Sequence, residues 1–478
     1  MRISSLLWAA PFDAPPRAAQ SVTMTACYCR LSNQDLDDRA AHMSQLHRIV
    51  IVGGGAGGIE LATKLGRRLG RHRRADITLV DAARTHLWKP LLHEVAAGTL
   101  DSHEDELEYL AQAHARHFHF RLGYADGIDR YQRSVSLAPL HNEQGEEIVP
   151  RRSIGYDTLV LAVGSVSNDF GIEGVSQNCF FLDTKEQAEY FQEHLIESFL
   201  YAHSRGGPES ESALHVAIVG GGATGVELAA QLYDVTRQFA RYGMDRIDPS
   251  RHIRIFIIEA AEHILPALPK RISDATREEL ERLGTRVLEG ERVVTVSPEA
   301  IRTAGGTVVP AGIKVWAAGI KAPDFLTGIE WLETTSINQV VVNDNLQSVS
   351  DENVFAIGDC AACPWPGHDV NVPPRAQAAH QQASVLAKSL SRRIDGRALL
   401  KYRYRDYGSL VSLGRFSTIG SLMGKLIGDV VIEGLIARLM YLALYKVHQL
   451  VLFGTGRVVL LSLANLFRRA VHPRIKLH

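Results

Sequence analysis

Cysteine is scarce in this chain: five residues in 478, at Cys27, Cys29, Cys179, Cys360 and Cys363. They are too few and too unevenly placed for a disulfide framework, which fits a reducing compartment. An excess of either charge is also missing. Lys and Arg number 52 against 53 Asp and Glu, and a net charge of −1 leaves no electrostatic footprint for nucleic acid. No second ligand pair stands at zinc spacing from Cys360 and Cys363, so no metal site is read. An uninterrupted apolar run of the roughly 20 residues that a membrane-spanning helix takes is absent as well. At the start, MRISSLLWAAPF is a poor imitation of a secretory leader, broken off by Asp13 and Pro15 with no clear cleavage site. Residues 1–43, with three prolines and scattered charges, read as a disordered extension or as a misassigned start ahead of Met43.

What is present is a phrase written twice. IVGGGAGGIE at 51–60 and IVGGGATGVE at 218–227 share eight of ten residues. Each follows a short apolar strand (HRIVIV, ALHVAIV) and opens an amphipathic helix. Each is succeeded by a second strand ending in an acid, DITLVD at Asp81 and HIRIFIIE at Glu259. Strand, G-x-G-x-x-G, helix, strand and terminal acid is the order of a dinucleotide-binding unit. Gly53 and Gly220 permit the tight turn, Gly55 and Gly222 let the backbone approach a pyrophosphate, and Gly58 and Gly225 let the helix pack close to the strand. The helix N-terminus offers unpaired N–H donors to the phosphates, and Asp81 and Glu259 accept hydrogen bonds from ribose hydroxyls. Glu259 has no arginine beside it, which favours NAD(H) over NADP(H). Two such units in one chain suit a pair of cofactors, one kept and one visiting, with hydride passing between them.

Two further strands end in glycine turns: YDTLVLAVGS (156–165), with Gly164, and DENVFAIGDCAAC (351–363), with Gly358 and Asp359. With these the chain resembles the two-dinucleotide-domain flavoproteins of the glutathione-reductase-like superfamily. That resemblance implies an α/β fold of two Rossmann-like domains, the second inserted in the first, with Asp359 on the ribityl chain of a non-covalent FAD. A closer resemblance runs from Met43 onward. THLWKPLLHEVAAGTL, ILPALPKRIS, VWAAGIKAPDFL and PPRAQAAHQQA look like the type II NADH dehydrogenases, single-subunit NADH:quinone oxidoreductases that do not pump protons. It implies FAD-domain segments at 44–175 and 331–395, an NADH domain at 176–330, and a C-terminal membrane-associating region at 396–478. Gln377 and Gln381 would flank the quinone; four apart on a helix, they share a face. Glu227 would lie near nicotinamide and flavin, although a carboxylate in a first helical turn is also favoured by the helix dipole, and Glu60 occupies the same place in the first copy.

Residues 430–453 and 458–467 are apolar but interrupted or bounded by Glu433, Arg438, Lys446, Arg457 and Arg468. Amphipathic helices lying in a membrane interface fit both stretches. The expected protein is a peripheral flavoenzyme on the cytoplasmic face of the membrane. It oxidises NADH and reduces a membrane quinone, and a homodimer is compatible with this reading. One alternative is a sulfide:quinone or disulfide reductase of the same fold working through Cys360 and Cys363. Another, not an enzyme, is an NADH-sensing flavoprotein that acts through partner binding.

Overall fold

The computed structural model describes residues 46–412, 418–424, 428–433 and 445–471. The expectation for residues 1–43 lies outside them. Two five-stranded sheets, parallel throughout, dominate the chain. In the first, β1 (His47–Val52) is flanked by β2 (Ala75–Asp81) and β4 (Thr158–Leu161). Beyond β2 lies β3 (His119–Leu122), and beyond β4 lies a late strand, Val354–Ala356. Ile49 is level with Ile77 on one side and Thr158 on the other. Helix α1 (Ala56–Leu65) follows β1.

The second sheet repeats the pattern. β5 (Phe180–Phe181), β6 (Val216–Val219), β7 (Ile255–Ile258), β8 (Thr285–Leu288) and β9 (Ile313–Trp316) stand in the order β5-β9-β6-β7-β8. In both sheets the glycine loop therefore leaves the central strand where the chain's direction of winding reverses. This is the crevice at which open parallel sheets take ligands. Helix α3 (Ala223–Arg241) follows β6.

These strands read as unbroken apolar runs because both faces of each sheet are covered. In β6, Val216 and Ile218 enter one hydrophobic cluster while Ala217 and Val219 enter the cluster on the opposite face. The first of these clusters also takes Leu92, Val95 and Ala96 from a short helix, α2 (Leu92–Ala96), that lies early in the chain. The segment LLHEVAA thus belongs to the second core, at about 1.5–3 kcal/mol for each fully buried aliphatic side chain. Only packing decides that; its position in sequence points to the first.

The strand Val354–Ala356 is β10. After it come a single 3₁₀ turn, Gly358–Cys360, and helix α4 (Ala376–Ile394), which carries AQAAHQQA. α4 lies along α1 at close range: a methyl group on Gly57 would stand 3.4 Å from the Ala379 Cβ. Past α4 the structure departs from the expectation of helix alone. Strands β11 (Ser409–Ser412), β12 (Thr418–Gly424) and β13 (Gly428–Glu433) form an antiparallel sheet. Residues 430–433, VVIE, are consequently strand, as their β-branched run prefers. Helix is present at 445–453 and in α5 (Thr455–Val471), and no helix of the described residues is long and apolar enough to cross a membrane.

Candidate functional site

The two glycine loops are built alike. Gly53 and Gly220 have φ of +101° and +110°, a region natural for glycine alone. A methyl on Gly58 would lie 1.8 Å from the Gly53 carbonyl oxygen, and one on Gly225 would lie 2.0 Å from that of Gly220. Gly55 and Gly222 face open space. They are the N-caps of α1 and α3, neither helix has a side-chain cap, and neither carries an acid in its first turn. Each helix thus presents its first N–H groups to whatever fills the cradle, which fits a pyrophosphate.

The terminal acids are themselves hydrogen-bonded to the loops. Asp81 accepts hydrogen bonds from the Gly54 N–H at 2.5 Å and the Ala83 N–H at 2.8 Å. Glu259 accepts from Gly221 at 2.6 Å and Ala261 at 2.8 Å. Each carboxylate fixes its own glycine loop, and spare lone pairs remain for a ligand. Burial raises the Asp81 carboxyl above the usual range, an effect opposed by the two backbone donors.

Asp359 stands at the end of β10. Its carboxylate accepts from the Ser165 hydroxyl at 2.9 Å, Lys89 donates to the Ser165 carbonyl at 2.7 Å, and burial lifts the Asp359 carboxyl. Gly164, with φ of +71° and no atom within 4 Å of an added methyl, leaves room beside this turn. The Gly358 N–H donates to Oε1 of Gln382, 2% exposed, at 2.7 Å. Gln382 sits inside AQAAHQQA, and nothing in its spacing along the helix marks it as the partner of Gly358.

Gln377 and Gln381 do share a face of α4, and both amides are engaged. Nε2 of Gln377 donates to Asp406 Oδ1 and the Gly408 carbonyl. Gln381 exchanges two bonds with the backbone of Arg405, at 2.8 and 3.0 Å. The pair therefore holds the 405–408 segment against the helix, and nothing in their spacing reveals that partner.

Glu227 is 5% exposed, on the face of α3 that meets α2. His93 Nδ1 lies 3.6 Å away. Burial pushes the His93 imidazole down to about 4, so at neutral pH this is a contact between a carboxylate and a neutral ring rather than an ion pair. One turn along, Gln231 accepts from the Thr99 hydroxyl at 3.0 Å.

Cys360 and Cys363 are free thiols, 0% and 1% exposed, each pushed up to about 12 by burial. A thiol held protonated and out of reach is a poor nucleophile. Cys360→Ala with Cys363→Ala is expected to leave the turnover of the purified protein within about twofold, and a loss of roughly tenfold or more would return the chemistry to the cysteines.

Largest among the features not anticipated is a buried cluster around Glu60, 0% exposed. Lys64, His380 and His448 converge on its carboxylate from α1, α4 and the helix at 445–453. Burial alone would raise the Glu60 carboxyl; the hydrogen bonds from His380 and His448 and the charge of Lys64 outweigh it and hold it well below the usual carboxylate range.

Residues 47–383 match the pyridine nucleotide-disulphide oxidoreductase family. A type II NADH:quinone oxidoreductase of Haemophilus influenzae is 43% identical over 446 residues, covering 91% of this chain and 100% of that one. Among solved structures, NDH2 of Plasmodium falciparum in complex with NADH superposes with a TM-score of 0.74 at 18% identity, covering 90% of this chain and 100% of that one. The sulfide:quinone oxidoreductase of Aquifex aeolicus superposes at 0.66 with 19% identity, covering 86% and 92%. At that level of identity the last two speak to the fold alone.

Proposed function

The chain belongs to the pyridine nucleotide-disulphide oxidoreductases and, among them, to the type II NADH:quinone oxidoreductases; from that membership we propose how its parts divide the work. The enzyme oxidises NADH and reduces a quinone, with FAD as its bound redox group. The first glycine loop, with Gly53, Gly55, Gly58, Asp81, Gly164, Gly358 and Asp359, holds FAD. The second, with Gly220, Gly222, Gly225 and Glu259, takes NADH. FAD supplies a two-electron store that accepts hydride on one side and is emptied by quinone on the other. The protein's task is to bring the reacting partners to near-attack distance and to furnish protons to the quinone oxygens.

The observation that carries this assignment is the late strand β10. It returns the chain to the first sheet, so that Gly358, Asp359 and α4 stand beside the first loop. Glu227, facing His93 across the junction of α3 and α2, positions NADH. Gln377 and Gln381 shape the quinone wall by pinning residues 405–408.

The C-terminal helices give the enzyme its place at a membrane surface. On α5, Val459, Leu460, Leu463 and Phe467 are 58%, 67%, 49% and 72% exposed, while Val458 on the other side is 5% exposed. An exposed apolar face of this kind, next to basic residues, suits an interface-lying helix. It sets a hydrophobic quinone within reach while NADH arrives from the cytoplasm. Leu460→Asp with Phe467→Asp is expected to reduce co-flotation with anionic vesicles by about tenfold and to leave NADH:ferricyanide turnover intact. Unchanged flotation would assign the face to a dimer contact.

The reaction is tested by anaerobic stopped-flow on the flavin absorbance. Bleaching by NADH followed by recovery on adding a quinone supports the whole reading. Bleaching that quinone does not reverse would overturn its second half, and bleaching by sulfide in place of NADH would overturn its first.

A further inference from the structure

The cluster around Glu60 joins three elements that are distant in sequence. His448 Nδ1 donates to Glu60 Oε1 at 2.8 Å. His380 Nδ1 lies 2.8 Å from Oε2 and 3.0 Å from Oε1. Lys64 Nζ donates to Oε2 at 2.7 Å and to the Ser384 hydroxyl at 2.9 Å. Behind His448, its Nε2 faces the Nε2 of His86 at 3.0 Å, and the Trp88 ring lies over the imidazole with centroids 4.2 Å apart. The 445–453 helix is further tied down at the Leu452 carbonyl, which accepts from Gln112 and Arg116.

Because the Glu60 carboxylate only accepts, Nδ1 of His448 is the donor in that contact. Burial keeps both rings neutral: it pushes His86 down to about 3 and lowers His448. The pair therefore satisfies one side of Glu60 without bringing charge. Lys64 supplies one positive charge, with its side chain 17% exposed. His380 differs from the other two imidazoles in that its side chain is 31% exposed. It stands on α4 between Gln377 and Gln381. Its Nδ1 is committed to Glu60, which leaves Nε2 as the atom that exchanges protons. A buried carboxylate that orients an imidazole by one ring nitrogen and leaves the other free to exchange protons is a recurrent device of acid–base catalysis.

We propose that Glu60 and His380 form a carboxylate–imidazole dyad that delivers a proton to the reduced quinone from Nε2 of His380, with His448 as the positioning residue that completes it from the C-terminal helix. The proposal rests on the assignment of quinone reduction to the α4 face. Its balance is that of the overall reaction, in which NADH, one proton and quinone give NAD⁺ and quinol. The electrons come from NADH. The His380 imidazolium breaks its Nε2–H bond as a quinone O–H bond forms, and the neutral ring regains one proton from solvent at its exposed edge. Because His448 reaches Glu60 only when the 445–453 helix is docked, proton delivery is tied to the seating of the C-terminal region.

The test uses the full-length, FAD-loaded enzyme with ¹⁵N-labelled histidine, as wild type, Glu60→Gln and His448→Asn. His448→Asn is the safeguard should removal of a buried carboxylate impair folding. The downfield Nδ1–H resonance of His380, assigned through His380→Asn, is expected in the wild type, lost in Glu60→Gln and broadened in His448→Asn. The quinone-reducing kcat is expected to drop about tenfold in both variants, with an enlarged solvent deuterium isotope effect. Reduction of ferricyanide, which consumes no proton, stays within twofold. A His380 Nδ1–H resonance unchanged in Glu60→Gln, or quinone and ferricyanide turnover falling in parallel, would overturn the proposal. A wild-type enzyme that reduces ferricyanide but no quinone would overturn the underlying functional reading, whatever the spectra give.

Discussion

Gly58→Ala is expected to give a chain that purifies with little or no FAD and has correspondingly little NADH-driven turnover. The methyl group would sit 1.8 Å from the Gly53 carbonyl oxygen, which is backbone and has no rotamer to yield. Relief requires α1 to move off β1, and overpacking of this kind costs about 1–3 kcal/mol. Charged against the bound state alone, that is roughly a tenfold to hundredfold loss of flavin affinity. The matched change in the second copy, Gly225→Ala, is equally tight at 2.0 Å from the Gly220 oxygen, yet its expected outcome differs. That variant keeps its flavin absorbance, while the NADH concentration needed to bleach it rises by on the order of tenfold. Absorbance spectra of the two purified proteins, then NADH titrations, separate these results. If Gly225→Ala loses flavin and Gly58→Ala keeps it, the two loops have been assigned in the wrong order.

Between pH 7.5 and pH 5 the folded enzyme is expected to lose several kcal/mol of stability, well before its carboxylates protonate. The cause is the set of imidazoles buried neutral. His86 and His93 are pushed down by burial to about 3 and about 4 from an ordinary value of 6.5. The unfolded chain therefore binds more protons than the folded one below pH 6.5, and stability falls with pH from there down to the folded values. At pH 5 each of the two contributes a loss of about 2 kcal/mol. Glu60 acts in a separate window. Its lowered carboxyl stabilises the fold above the unfolded carboxylate value, and that contribution goes only in stronger acid, as pH falls through its folded value. Melting followed by flavin fluorescence should show the drop in Tm beginning near pH 6.5. In His93→Asn the slope should be visibly shallower, with Tm at pH 7.5 changed far less than at pH 5. An onset below pH 4.5 in the wild type would mean that these rings are reached by water and protons in the folded state.

Much of the architecture is local information. The apolar run HRIVIV, the glycines at 53, 55 and 58, and the acid closing the next strand can be satisfied by a strand–turn–helix–strand and little else, and the same holds from 216 to 259. The duplication is visible because backbone geometry demands glycine wherever a Cβ would meet a carbonyl oxygen. The glutamines of α4 were legible as a shared face, since that follows from helical periodicity. Their partners at 405–408 were not. An amide offers two donors and an acceptor to any neighbour, and its spacing along the helix says nothing about which neighbour arrives.

The Glu60 cluster marks the boundary more sharply. In sequence Glu60 is a repeat of Glu227, each two residues after the last glycine of its loop; His86 belongs to THLWKP, His380 to AQAAHQQ, and His448 to an apolar stretch near the end of the chain. No periodicity links them, because they meet only when β10 returns to the first sheet, α4 lies along α1, and the 445–453 helix docks beside both. The two equivalent glutamates then diverge: Glu60 meets two imidazoles and a lysine, while Glu227 meets His93 of α2. Sequence by itself determined the two strand–glycine loop–helix–strand units, since steric limits on the backbone act between near neighbours. Which of two like carboxylates became a proton-handling centre was decided by tertiary structure, because desolvation and hydrogen bonding depend on what the whole chain folds against them.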